Sequence, residues 1–399
     1  MTTRTGLDQL KVNKDLVTSI KGNVAYLCNS ASLTYDLITG ICVIKELFGA
    51  RFKKLFGPQH GLFTDLQDNM IETSDFIHPY FGVKVHSLYS TTRIPTPAML
   101  EGIDAILVDL QDVGTRVYTY IYTLTLLMEA CKNRDIEVVV LDRPNPIDGV
   151  TIEGNMLDMN FSSFVGRHSI PMRHGLTIGE VATLAHKAFG ANCNLRVIKM
   201  ENWQRSMSYD QTKLHWTLPS PNLPTIDSAY TFVGTVLFEG TNISEGRGTT
   251  RSLEIIGHPK LEPFSFLDQI NPIVKKERLA EGAVLRPTFF QPTFNKHKDI
   301  PCGGIQIHVT DKTKFRPWLL TQFLMRELYF YLNDKKAFSW KEPPYEYEYI
   351  KAPIDLINGT DKIRNWIENR GDLAVLREME TSAINQFANL RNSILLYKN

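Results

Sequence analysis

Two glutamates six residues apart, Glu239 and Glu245, lie near Arg247 and Arg251 in the stretch EGTNISEGRGTTR (residues 239–251). Paired carboxylates can work as acid, base or nucleophile when their surroundings split their pKa values. The glycines and small residues among them allow a ligand to approach closely. A solvated, arginine-paired loop is the plainer reading. The functional one is favoured because ordering such a loop costs conformational entropy. A second cluster is LFGPQHGLF (residues 55–63), which presents Gln59 and His60 on a turn set by Pro58 and Gly61. That turn could be only a turn. Glutamine hydrogen-bonds through both its carbonyl and its amide but holds no titratable proton, so Gln59 suits binding rather than acid–base work.

Three more clusters are polar. DLQDVGTRVYTY carries Asp109, Gln111, Asp112, Arg116 and Tyr118. It reads equally as a helix cap with an Asp112–Arg116 ion pair and as a pocket wall. LDRPNP carries Asp142, Arg143 and Asn145. An acid, a base and an amide on a proline-stiffened loop suit sugar hydroxyls or a carboxylate, which arginine can grip with two bonds. A loop-holding salt bridge is the alternative. PMRHG supplies Arg173 and His174. A lone histidine is more often structural than catalytic, and without HxxxH or HxH spacing no metal is expected.

These clusters need elements to position them. NVAYLC, RFKKLFG, the apolar run at 105–110 and EVVVL read as short buried strands. Leu33, Leu37, Ile38, Ile41, Ile44, Leu47 and Phe48 recur at helical spacing after the first, and YTYIYTLTLLMEACKNR reads as a helix after the third. Strands alternating with helices imply a Rossmann-like, doubly wound, mainly parallel α/β sheet. Ligands of such sheets bind beyond the carboxyl ends of the strands, which is where GPQHG, DLQDVGTR and DRPNP fall. Thr177 caps a helix-like run, GGIQIHVTD alternates as a strand, and PWLLTQFLMRELYFYL reads as a helix. The expectation is an N-terminal domain over 1–250 and a smaller α+β domain over 251–399. The last forty or so residues read as solvated amphipathic helices.

The totals bound the function. Net charge is +1, with 44 basic and 43 acidic residues, which gives no electrostatic case for nucleic-acid or membrane partners. The N-terminus is polar, without an apolar signal region, and no apolar run could span a bilayer. Five cysteines without CxxC spacing read as reduced thiols. A cytoplasmic location is expected. No GxGxxG follows the first strand and no GxxxxGK[ST] occurs, so no cofactor is expected.

GPQHG, DLQDVGTRVYTY, LDRPNP, SFVG, PMRHGLTIGE, PSPNLPT, EGTNISEGRGTTR and CGGIQIHVTD, in this order, resemble the exo-β-N-acetylmuramidase family of NamZ type over roughly residues 20–340. The resemblance implies a glycoside hydrolase that releases N-acetylmuramic acid from the non-reducing ends of peptidoglycan fragments, as in cell-wall recycling. It implies an active site in the cleft between the Rossmann-like and C-terminal domains. Carried over, Gln59, His60, Glu239 and Glu245 form the catalytic set. Asn222 and Asn242 join the substrate-binding set with Asp109, Gln111, Asp112, Arg116, Tyr118, Asp142, Arg143, Asn145, Arg173, His174, Arg247 and Arg251. The lactyl carboxylate wants one of the arginines, and the N-acetyl methyl an apolar wall from Tyr118, Tyr120 or Phe164. The family's first motif is GPEHG, whose glutamate is the favoured catalytic residue, whereas this chain has Gln59. Two further readings follow. One is a relative that binds amino sugars without strong catalysis. The other, from the βαβ pattern alone, is a nucleotide-dependent enzyme.

Overall fold

The computed structural model describes residues 1–68 and 70–398. Its main sheet uses β1 (Val24–Cys28), β2 (Phe52–Gly57), β3 (Phe76–Ile77), β4 (Lys84–Ser87), β5 (Ala105–Asp109) and β6 (Glu137–Leu141). A short antiparallel pair follows, β7 (Glu153–Met156) and β8 (Pro171–Arg173), and β9 (Asn194–Ile198) completes the main sheet. The sheet order is β3-β4-β2-β1-β5-β6-β9. All its neighbours run parallel except β3 and β4.

Strand alternation sorts side chains onto two covered faces. Val24 and Tyr26 of β1 join Leu55, Leu107 and Val139 in a cluster with Ile41, Ile44 and Phe48 of the helix Gly40–Phe48. Ala25 and Leu27 point the other way, with Ile106, Val108 and Val138, onto Leu124, Leu127 and Met128 of the helix Tyr120–Cys131. Helices on both faces make the sheet doubly wound, as the alternation predicts. The chain runs from β1 toward β2 and β4 on one side, and β5, β6 and β9 lie on the other. Strand order therefore reverses beside β1, the place where such sheets leave a crevice.

One expected helix is shorter than its periodicity suggests. Leu33, Leu37 and Ile38 precede the helix, which begins at Gly40. Residues 34–38 form a turn in which the Ile38 N–H reaches the Thr34 hydroxyl at 2.9 Å and Leu37 has φ 65°. Leu37 and Ile38 are exposed, so their periodicity buries nothing.

The smaller sheet has β10 (Ile255–His258), β11 (Ala283–Phe290) and β12 (Cys302–Val309), all antiparallel in the order β10-β12-β11. The helices Ile226–Thr235 and Pro317–Asn333 pack beside it. The last helix, Leu373–Asn392, is amphipathic as read, but its chain continues back onto the main unit. Phe387 and Ile394 are buried with Ile121, Tyr122 and Leu184, and the Tyr397 hydroxyl donates to Asp142 at 2.6 Å. Among the described residues no helix is long and apolar enough to cross a membrane.

Candidate active site

A cavity of about 40 Å³ lies where the loops after β2 and β5 meet the Val236–Gly240 turn and a late loop at 345–346. Gln59, His60, Tyr118, Thr119, Glu239, Arg247, Tyr345 and Glu346 face it. The volume admits a few waters and no sugar ring.

The GPQHG turn does what its residues allow. Gly61 has φ 81° and His60 has φ 68°, an uncommon conformation for a residue with a side chain. His60 Nδ1 lies 2.8 Å from the Leu66 carbonyl, so that nitrogen carries the proton. Burial pushes the His60 pKa down to about 4, leaving the ring neutral. Gln59 is buried and uses both ends of its amide. Its Oε1 accepts from the Thr119 hydroxyl at 2.6 Å and its Nε2 donates to Glu346 at 3.2 Å.

Opposite sits an ionised cluster. The Arg247 guanidinium is 2.5 Å from Glu239 and 3.0 Å from Glu245. The Tyr345 hydroxyl donates to the second oxygen of Glu239 at 2.7 Å. Burial alone would raise the Glu239 pKa, but the Arg247 charge and these hydrogen bonds hold it below the ordinary carboxylate value. Glu239 is thus a fixed buried anion. Glu245 does not line the cavity. It holds Arg247 and takes Lys296 at 2.7 Å, which makes it a positioning carboxylate. Most of the stretch expected to be a loop, residues 239–248, is buried and tied down: Ser244 bridges Gly257 of β10, and Gly248 accepts from Thr293.

Glu346 is the residue that sequence reasoning missed. Its carboxylate accepts from Gln59 on one oxygen and from the Tyr89 hydroxyl, at 2.8 Å, on the other. Burial raises its pKa to about 7, with the Glu239 charge adding to the rise and the two hydrogen bonds opposing it. Nothing in PPYEYEYIK marks this glutamate among its acidic neighbours. Its role comes from a contact across 287 residues of sequence. Glu346 also borders a second, open groove of about 380 Å³, shared with Arg93, Phe164, Arg167 and Tyr347.

Most of the other residues expected to bind ligand are bonded to internal partners. Arg116 is fully buried and donates to four backbone carbonyls, those of Asn155, Ile170, Ile357 and Asn358. Burial lowers its pKa to about 10. Two of those carbonyls end the helix Pro353–Asn358, whose negative dipole end favours a cation. Asp109, at the end of β5, is bound by Tyr26 at 2.5 Å and Arg143 at 2.5 Å. Gln111 donates to the Asp112 and Pro144 carbonyls, and Asp112 accepts from Gly114. Asp142 accepts from Thr177 and Gly179 at the start of the helix Ile178–Ala188, where Thr177 and Glu180 form a capping box. Arg173 pairs with Glu153 at 2.6 Å and Asp148 at 2.8 Å. His174 faces Asp112 at 3.6 Å, and Asn145 donates to Leu176. Asn222 donates to Gln67, Asn242 to Ala337. Arg251 is half exposed, near Glu254 at 3.4 Å. These residues do not line the cavity. Tyr118 does line it, while the Tyr120 hydroxyl is spent on the Pro219 carbonyl and Phe164 lies in the outer groove.

The chain is similar to known proteins over its whole length. The family model for the N-terminal part of exo-β-N-acetylmuramidase NamZ matches residues 24–227, and that for the C-terminal part matches residues 230–397. The peptidoglycan β-N-acetylmuramidase NamZ of Bacillus subtilis (strain 168) is 38% identical over 399 residues, 99% of this chain and 91% of that protein. Two DUF1343 family proteins from Bacteroides fragilis NCTC 9343 have similar crystal structures. One has a TM-score of 0.86 at 30% identity, covering 99% of each chain. The other has a TM-score of 0.73 at 25% identity, covering 100% of each. With both halves matched and the cavity built from both, the chain belongs to the NamZ family of exo-β-N-acetylmuramidases.

Proposed function

We propose that this protein is an exo-acting β-N-acetylmuramidase, a glycoside hydrolase that releases N-acetylmuramic acid from the non-reducing ends of peptidoglycan fragments. The observation that carries this reading is the buried Glu239–Arg247–Tyr345 cluster facing Gln59 and Glu346 across one cavity, in a chain matched end to end by the family. A fixed anion suits the positive charge that grows at the anomeric carbon in an oxocarbenium-like transition state. Glu239 is the candidate for that role, with Arg247 and Tyr345 keeping it ionised and oriented.

The muramyl lactyl carboxylate needs a cation. Arg116, Arg143 and Arg173 are engaged internally, and Arg247 serves Glu239. Arg93 lines the open groove, lies 3.4 Å over the Tyr347 ring and makes no ion pair among the described residues. It is therefore the arginine we assign to a carboxylate of the substrate.

The test is to incubate the folded wild-type protein with the disaccharide MurNAc-β-1,4-GlcNAc and follow free MurNAc by mass spectrometry. Release is expected from the wild type and not from Glu239→Gln. A folded wild-type protein that releases nothing would overturn the reading.

A further inference from the structure

Position 59 lacks a titratable proton in this chain, yet the cavity holds a carboxyl group directly against it. Glu346 lies 3.2 Å from the Gln59 amide nitrogen and 2.8 Å from the Tyr89 hydroxyl. It forms part of the wall of the small cavity and part of the wall of the open groove. A glycan that entered through the groove would meet Glu346 on its way to the Glu239 anion. The backbone there is unusual as well: Glu346 has φ 45° and Tyr347 has φ 67°, two consecutive residues with side chains in the left-handed region. Such conformations are strained and persist where the surroundings enforce them, often at functional sites. Here the Tyr347 hydroxyl bonds Glu72 at 3.0 Å, and Arg93 stacks on its ring.

We propose that Glu346 is the proton donor to the leaving group, doing from the C-terminal part of the chain the work that a glutamate at position 59 would do. This rests on the muramidase reading above. The Glu346 carboxyl proton passes to the glycosidic oxygen, the C1–O bond breaks with its electron pair on that oxygen, and the aglycone leaves as an alcohol. Water supplies the hydroxyl at C1. Its surplus proton returns to the Glu346 carboxylate, directly or through solvent, so the next turnover starts protonated.

The electrostatics agree with the geometry. Tyr89 faces the carboxyl from the loop after β4, Glu239 from the Val236–Gly240 turn, and Tyr345 and Lys341 from its own segment. His60 and Arg247 share the cavity. Burial and the Glu239 charge push the carboxyl up to about 7, so it still holds its proton near neutral pH. Glu239, paired to Arg247, does not. Two carboxyls in one cavity with opposite protonation states divide into acid and charge stabiliser.

The experiment compares wild type and Glu346→Gln on two substrates: the MurNAc-GlcNAc disaccharide and a nitrophenyl β-N-acetylmuraminide. The nitrophenolate leaves without a proton, and the sugar alcohol does not. Disaccharide turnover is expected to fall by about 10²–10⁴-fold, the aryl substrate by far less, and the alkaline limb of kcat/KM near neutrality to vanish. Equal loss on both substrates in a folded variant, or disaccharide activity close to wild type, would overturn the assignment of Glu346 while leaving the muramidase reading intact. A wild type inactive on both substrates would overturn both. Tyr89→Phe keeps the idea testable where Glu346→Gln fails to fold. Losing a hydrogen bond that favours the ionised carboxylate should move the alkaline limb to higher pH, and an unmoved limb counts against the proposal.

Discussion

The Gln59 amide nitrogen and a carboxylate oxygen of Glu346 sit 3.2 Å apart in the wall of one small cavity. A neutral amide at position 59 leaves that pair with a single ionisable member. In Gln59→Glu, two carboxyls would face each other at that distance. Like charges so close do not both ionise, so the pair should hold one proton to higher pH than Glu346 does alone. The expected outcome is an alkaline activity limb shifted upward by about one unit or more. Thermal stability should match the wild type near pH 5 and fall below it at pH 8, where the unfolded chain has released both protons and the folded pair still holds one. A variant with an unshifted limb and unchanged stability at both pH values would show that the two side chains do not interact.

Arg247 carries two buried carboxylates, Glu239 at 2.5 Å and Glu245 at 3.0 Å. Arg247→Met would leave Glu239 with the Tyr345 hydroxyl and the more distant Lys296 charge. Removing one member of a buried ion pair typically costs about 3–5 kcal/mol, because the remaining charge is uncompensated. The melting temperature should drop well beyond the scatter of surface variants. The double variant Arg247→Met/Glu239→Gln should recover part of that loss, since it removes the stranded anion. Calorimetry on the three proteins measures this, and absence of recovery would mean that Arg247 stabilises by packing alone.

The main sheet was legible because its signal is local. Val24 to Cys28, Ala105 to Asp109 and Glu137 to Leu141 are apolar runs of strand length followed by polar turns, and each lies where it was read. The cavity was legible only in part. Gln59, His60, Tyr118, Glu239 and Arg247 belong to it, since they stand on loops at the strand ends or in the dense Gly-Glu-Arg stretch. Arg116, Asp142 and Arg173 share those motifs but point into the protein. A motif reports that a polar residue sits at a strand end and says nothing of whether a carbonyl or a cap lies behind it. Glu346 left no local trace. Its value as an acid depends on burial and on Gln59, Tyr89 and Glu239, none of them near it in sequence.

Arg93 tests the substrate assignment. Its guanidinium lies on the Tyr347 ring and donates to the Ser90 carbonyl at 2.7 Å, with no carboxylate bound among the described residues. Arg93→Gln should raise KM for the muramyl disaccharide by about tenfold or more, the scale of one charge-assisted hydrogen bond. An analogue with N-acetylglucosamine at the non-reducing end, which lacks the lactyl group, should show little change in binding. Equal effects on both sugars would move the carboxylate contact elsewhere. Arg116→Lys is the contrasting variant. The planar fork that reaches four carbonyls is lost, so stability should fall while KM for the surviving folded enzyme stays near wild type.

A last prediction concerns a carboxyl outside the cavity. Glu380, on the last helix, accepts the Gly154 N–H at 3.0 Å. Burial raises its pKa from the ordinary 4.5 to about 7, the nearby Glu153 adding to the rise while Arg316 and Arg377 oppose it. Between those two values the folded protein keeps a proton that the unfolded chain has lost. Stability therefore falls as pH rises through that window, and the full penalty is present above about 7. Glu380→Gln keeps a carbonyl to accept from Gly154 and removes the charge. It should melt a few degrees higher than wild type at pH 8, with the gain shrinking toward zero near pH 4.5, where both side chains are neutral. Melting curves at the two pH values decide it. A gain of equal size at both would mean that the variant acts through packing, and that the Glu380 carboxyl ionises as freely in the folded protein as in the unfolded chain.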